Sequence, residues 1–83
     1  MAYNVEYKSS VNKDLKKLDK KVAKKLLQRL ENDLGEDPNC GTPLLGQFKG
    51  LFKYRIGEHR IIYIKTKEGI LVLRIGHRSK VYK

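Results

Sequence analysis

The sequence predicts an α+β fold: an N-terminal strand and a helical hairpin packed on one face of a mainly antiparallel sheet. Three observations lead there. Apolar residues recur at helical spacing between residues 11 and 34, the apolar period switches to two from Leu51 onward, and a glycine- and proline-rich stretch separates the two regions. A chain of 83 residues has room for one hydrophobic core, so residues 1–83 are read as a single domain.

Taken in order, Tyr3, Val5 and Tyr7 alternate with polar Asn4 and Glu6, the pattern of a strand with one buried face. Ser9 and Ser10 offer N-cap oxygens for a helix carrying Val11, Leu15 and Leu18, with Lys13, Lys16 and Lys17 turned outward. Asp19 is placed to cap a second helix. There Val22, Ala23, Leu26, Leu27, Leu30 and Leu34 make one apolar stripe, and Gly35 is a natural stop. Residues 35–50 read as irregular connection, with Leu44, Leu45 and Phe48 tucked onto the core. Three strands follow, at Leu51–Ile56, His59–Lys65 and Ile70–His77.

The turns fix an expected register. Gly57-Glu58 is a two-residue Gly-X connection of type II′, which sets Ile56 opposite His59 and Arg55 opposite Arg60. Lys67-Glu68-Gly69 suits a three-residue loop ending in a left-handed glycine, which pairs Thr66 with Ile70, Ile62 with Arg74 and Arg60 with Gly76. Parity then collects Phe52, Tyr54, Ile56, Ile61, Tyr63, Leu71, Leu73 and Ile75 on a helix-packing face. The opposite face takes Lys53, Arg55, Arg60, Arg74 and Arg78, with Ile62 and Val72 among them. Cations from three strands converge there, and Gly76 beside Arg60 leaves room for an anionic ligand.

Charge and composition narrow the class. Nineteen Lys and Arg against nine Asp and Glu give a net charge of +10, which draws a polyanion partner such as a nucleic-acid backbone. No stretch approaches the length of a membrane helix, and Met1–Val5 has no basic segment leading an apolar one, so neither membrane insertion nor secretion is expected. A single cysteine, Cys40, forms no internal disulfide and suits the reducing cytoplasm. One cysteine and two distant histidines give no metal-ligand spacing, and nucleotide-binding glycine motifs are missing, so no metal or cofactor is expected.

Three blocks carry a family resemblance: "YNVEYKSSVNKDLKKLDK", "GTPLLGQFKGLFKYRIGEHRIIY" and "ILVLRIGHRSKVY". Together they resemble the RelE branch of the RelE/ParE toxin superfamily over nearly the whole chain, the order and spacing of "YRIGEHRIIY" and "IGHRSKVY" being the specific part. The resemblance implies the toxin of a type II toxin–antitoxin pair, a cytoplasmic mRNA interferase that enters the ribosomal A site and cleaves mRNA. It implies a RelB-like protein antitoxin as partner, and binding to operator DNA only as the toxin–antitoxin complex. By position, the family's catalytic residues fall on Lys53, Arg55, Arg60, Arg78 and Tyr82, with Phe52 where an aromatic is common. The hairpin is shorter than in the best-known bacterial members, and Arg55 stands where some relatives have lysine.

The chemistry accords with this residue set. Attack of a 2′-hydroxyl on its adjacent phosphate needs a base, stabilisation of the developing charge and a proton for the leaving oxygen, but no metal. Lys53, crowded by Arg55 and Arg60, suits the base; Arg60 suits the phosphate clamp, and Arg78 either shares it or protonates the leaving group; Tyr82 stacks on a base or orients the phosphate. Arg74, His77 and Lys80 are the accompanying RNA-binding candidates, although the parity of His77 also fits a packed structural histidine. His59, Glu58 and Glu68 read as exposed turn or support residues. Two other functions stay open: a ParE-like, non-catalytic inhibitor of DNA gyrase, and a simple nucleic-acid-binding module.

Overall fold

A computed structural model describes residues 3–44, 46 and 50–77. The order is β1 (Asn4–Tyr7), α1 (Ser9–Lys16), α2 (Lys20–Glu36), β2 (Thr42–Pro43), β3 (Phe52–Ile56), β4 (His59–Lys65) and β5 (Gly69–His77). The strands form one sheet in the order β1-β5-β4-β3-β2, with β1 parallel to β5 and the other pairs antiparallel. Two helices on an open, mostly antiparallel sheet are the predicted α+β arrangement. Val11 from α1 and Leu26, Leu30 and Leu34 from α2 pack against Ile56, Ile61, Tyr63, Ile70, Val72 and Ile75 of the sheet. Val22, at the margin of the apolar stripe, stays 40% exposed, and Tyr3 lies outside β1 at 43%. Among the described residues no helix is long and apolar enough to cross a membrane.

The first hairpin follows its turn chemistry. Gly57 has φ +60° and no non-glycine residue among the described residues has positive φ, so only the first turn position is left-handed, as type II′ requires. Ile56 faces His59 and Arg55 faces Arg60. The second connection differs from expectation. Lys65 pairs with Ile70, which makes the loop one residue longer, and Gly69 is not among the positive-φ residues. The extra residue appears within β5 instead: Tyr63 pairs with Val72 but Ile62 pairs with Arg74, so Leu73 bulges out. Ile62–Arg74 and Arg60–Gly76 are therefore paired as expected, while the start of β5 is flipped. Ile70 and Val72 are fully buried in the core, and Leu71 and Leu73 are only partly covered.

Helix α1 explains how the bulge is held. The Val72 and Leu73 carbonyls both turn to the outer edge of β5; the first accepts the Lys8 N–H at 2.9 Å and the second the Ser10 hydroxyl at 2.8 Å. One turn on, the Asp14 carboxylate accepts the Ile75 N–H at 3.0 Å. Ser10 and Asp14, four apart on one helix face, thus take over from β1 as the edge partner of β5. Ser10 is spent on this bond and caps nothing: the N-cap is Lys8, without a side-chain cap. Asp19 does occupy the N-cap of α2, again without a side-chain bond. Gly35 does not stop that helix. It lies buried within it, and its carbonyl accepts the Tyr3 N–H at 3.1 Å.

Candidate active site

Short β2 lies within the stretch expected to be irregular, and it positions one wall of the site. Thr42 and Pro43 pair with Lys53 and Phe52 along the outer edge of β3, a place where proline is tolerated. The chain before Thr42 is pinned from the core: the Tyr63 hydroxyl donates to the Pro38 carbonyl at 2.8 Å and accepts the Gly41 N–H at 3.2 Å. Gly41 permits this approach, because a Cβ there would collide with the Tyr63 hydroxyl and come within 2.9 Å of the Lys53 carbonyl. Tyr63 stacks on Phe52 at 5.5 Å, and the Lys65 ammonium lies 4.7 Å above the Phe52 ring while also bonding Asn39.

Pairing aligns the cations in two adjacent rows. One runs Lys53–Ile62–Arg74 and the next Arg55–Arg60–Gly76 across β3, β4 and β5. With strands about 4.8 Å apart, Arg55 and Arg60 stand side by side and Lys53 lies two residues along the same face. Ile62 is 8% exposed and outside the core cluster, so this face carries some apolar cover beneath its charges. Lys53, Arg55 and Arg60, with Cys40, Thr42 and Tyr54, line a cavity of about 340 Å³.

The other lining groups are chemically quiet. The Tyr54 hydroxyl donates to Asp33 at 2.7 Å, which with burial pushes its pKa up to about 12. Asp33, also paired with Arg29 at 3.1 Å, is held below the usual carboxylate range by the same bond. Burial, with Asp37 and Asp33 nearby, raises the Cys40 thiol, which keeps it protonated and a poor nucleophile. Among the described residues the lining holds three cations and no carboxylate, a composition suited to a phosphodiester.

The sequence candidates are therefore only partly gathered. Arg74 does not line this cavity; its guanidinium grips Asp14, with Nε–Oδ2 at 3.0 Å and Nη2–Oδ1 at 3.2 Å. His77 closes β5 opposite His59, and Arg78, Lys80 and Tyr82 lie outside the described residues. Reasoning from sequence missed Cys40, Thr42 and Tyr54 as lining residues. Thr42-Pro43 was the available signal, since a β-branched residue before proline favours extended backbone.

Comparison with known proteins agrees with this architecture. Residues 5–82 match the family of ParE toxins of the type II toxin–antitoxin system parDE. The chain belongs to the RelE/ParE toxin superfamily. Toxin RelG of Mycobacterium tuberculosis (strain ATCC 25618 / H37Rv) is 29% identical over 86 residues, covering 100% of this chain and 99% of that protein. A solved toxin–antitoxin complex, RelBE2 from the same species, superposes with a TM-score of 0.85 at 28% identity, over 94% of this chain and 100% of that one. The RelBE complex of E. coli shares the fold, with a TM-score of 0.69 at 22% identity over 92% and 96% of the two chains. As a RelE/ParE protein, this chain is a toxin of the type II toxin–antitoxin class.

Proposed function

We propose that this RelE/ParE toxin is a metal-independent endoribonuclease that cleaves mRNA in the ribosomal A site and so blocks translation. The observation that carries the reading is the convergence of Lys53, Arg55 and Arg60 from two strands on one cavity, whose lining among the described residues holds no carboxylate. Such a site grips a phosphodiester and favours the charge that develops on it. In this reaction the Lys53 amine takes the proton of the 2′-hydroxyl. The O2′–P bond forms as the P–O5′ bond breaks, and the departing O5′ takes up a proton from water, leaving a 2′,3′-cyclic phosphate and a 5′-hydroxyl. Arg60 clamps the non-bridging oxygens and Arg55 fixes the strand. Arg78 shares the clamp and Tyr82 stacks on a base, both carried from the family resemblance. Arg74, His77 and Lys80 extend the grip on the RNA.

The reaction is at home in the cytoplasm with ribosomes. Neutralisation falls to a RelB-like antitoxin, the partner type that the solved relatives' complexes exemplify, and operator DNA is bound only by the pair. A cluster of cations without an orienting surface seldom holds RNA in line for attack, so the ribosome supplies the geometry. Primer extension on a translated mRNA tests this. Position-specific cuts are expected only with ribosomes and toxin together, whereas rapid digestion of naked RNA contradicts the proposal. The ParE description of the matched family favours one second reading, a gyrase-binding toxin, which predicts lost supercoiling and intact mRNA.

A further inference from the structure

Asp14 stands apart among the described residues as a charged side chain that is almost fully buried, at 7% exposure. It accepts the Ile75 N–H, which closes the β5 edge, and also two N–H groups of Arg74. The edge needs only the first of these bonds. The arginine is different in kind: its side chain is 62% exposed, and the N–H groups not used by Asp14 remain for another acceptor.

Position makes this pair relevant to the cavity. Arg74 lies in the same cross-strand row as Lys53, and the neighbouring row ends in Gly76, which puts no side chain between Arg60 and the β5 edge. An arginine already fixed by a carboxylate loses little freedom when it binds an anion. We propose that Asp14 and Arg74 form a second phosphate subsite, in which Asp14 is a positioning residue that aims Arg74 at an RNA phosphate neighbouring the one in the Lys53–Arg55–Arg60 cavity. This rests on the reading of the face as an RNA site, but not on cleavage.

The test is equilibrium binding of a uridine oligonucleotide to the purified chain, without ribosomes, over a salt series. Arg74→Ala is expected to flatten the slope of log K against log salt by about 0.7, one single-strand phosphate. Asp14→Asn should weaken binding and flatten the slope similarly, and the double variant should be no worse than Arg74→Ala. Tighter binding or a steeper slope in Asp14→Asn would mean that Asp14 masks Arg74, and overturns the proposal. So does an unchanged slope in Arg74→Ala, or no affinity for the oligonucleotide at low salt. If Asp14→Asn fails to fold, Arg74→Gln at the exposed partner decides alone through the same slope. Missing ribosome-dependent cuts, with the slope flattened in Arg74→Ala and Asp14→Asn, would remove the nuclease reading and keep the subsite. Cuts with an unchanged Arg74→Ala slope would remove the subsite and keep the nuclease.

Discussion

Tyr54 lends its ring to the cavity and sends its hydroxyl 2.7 Å to Asp33 on α2, so one side chain ties the site to the helical layer. Its phenol is favoured in the folded state, with the pKa raised from 10.0 to about 12, chiefly by that hydrogen bond. The stability it contributes is full below pH 10 and is lost as pH rises toward 12. Asp33 has the opposite sign: its lowered pKa contributes stability above the ordinary 3.8, lost as pH falls below it. Tyr54→Phe should therefore cost about 1.5 kcal/mol near neutrality and flatten both limbs of the stability–pH curve, as followed by thermal melts from pH 2 to 12. Cys40 has a different fate. Its thiol is kept protonated, so Cys40→Ser should leave cleavage within about twofold of the parent. Arg60→Ala, by contrast, should lower single-turnover cleavage by about 10²–10³-fold with an unchanged melting temperature. A large loss of stability there would mark Arg60 as structural support.

Among the elements, legibility tracked the range of the interactions responsible. The Gly57-Glu58 turn is local chemistry, and the β3–β4 register it implies is the one observed, with Arg55 beside Arg60. The β4–β5 register near the site was also anticipated, though for a different reason. Parity requires one extra residue on the β5 side, and local turn chemistry places it at Gly69. The residue sits instead at Leu73, because Ser10 and Asp14 on α1 satisfy the β5 edge where β1 ends. That partnership spans more than sixty positions of the chain and leaves no mark in a local pattern. The same cause took Ser10 away from capping. The β2 wall was hidden in the same way, since its fastening runs from Tyr63 back to Pro38 and Gly41. Gly41→Ala tests that wall. The new methyl meets the Tyr63 hydroxyl and the Lys53 backbone carbonyl, and backbone on one side cannot yield cheaply. A loss of about 1–3 kcal/mol in urea unfolding is expected, together with weaker cleavage as the cavity deforms.

For the molecule as a whole, the balance of charge bears on how it meets its partners. The net charge is +10, and it is not confined to the cavity. Lys13, Lys16, Lys17, Lys20, Lys21, Lys24 and Lys25 are all exposed along α1, α2 and their junction, on the helical layer, while Lys53, Arg55 and Arg60 belong to the open sheet face. A cationic field on both layers attracts RNA, but it equally speeds capture by an acidic protein segment that folds as it binds. Ordering such a segment lowers affinity for a given contact area, so steering matters most for the encounter, and at physiological salt the field reaches about 8 Å. An antitoxin that wraps the helices would then associate quickly and with strong salt dependence, while its dissociation, set by short-range contacts, would change little. Stopped-flow association with the cognate antitoxin should accordingly slow by about tenfold or more between 50 mM and 500 mM salt. Replacing Lys20, Lys21, Lys24 and Lys25 with glutamine should lower the association rate at low salt and flatten that dependence, leaving the dissociation rate within about threefold. An association rate indifferent to salt would show that the partner is recognised by shape and apolar contact alone, and that the helical lysines serve another polyanion.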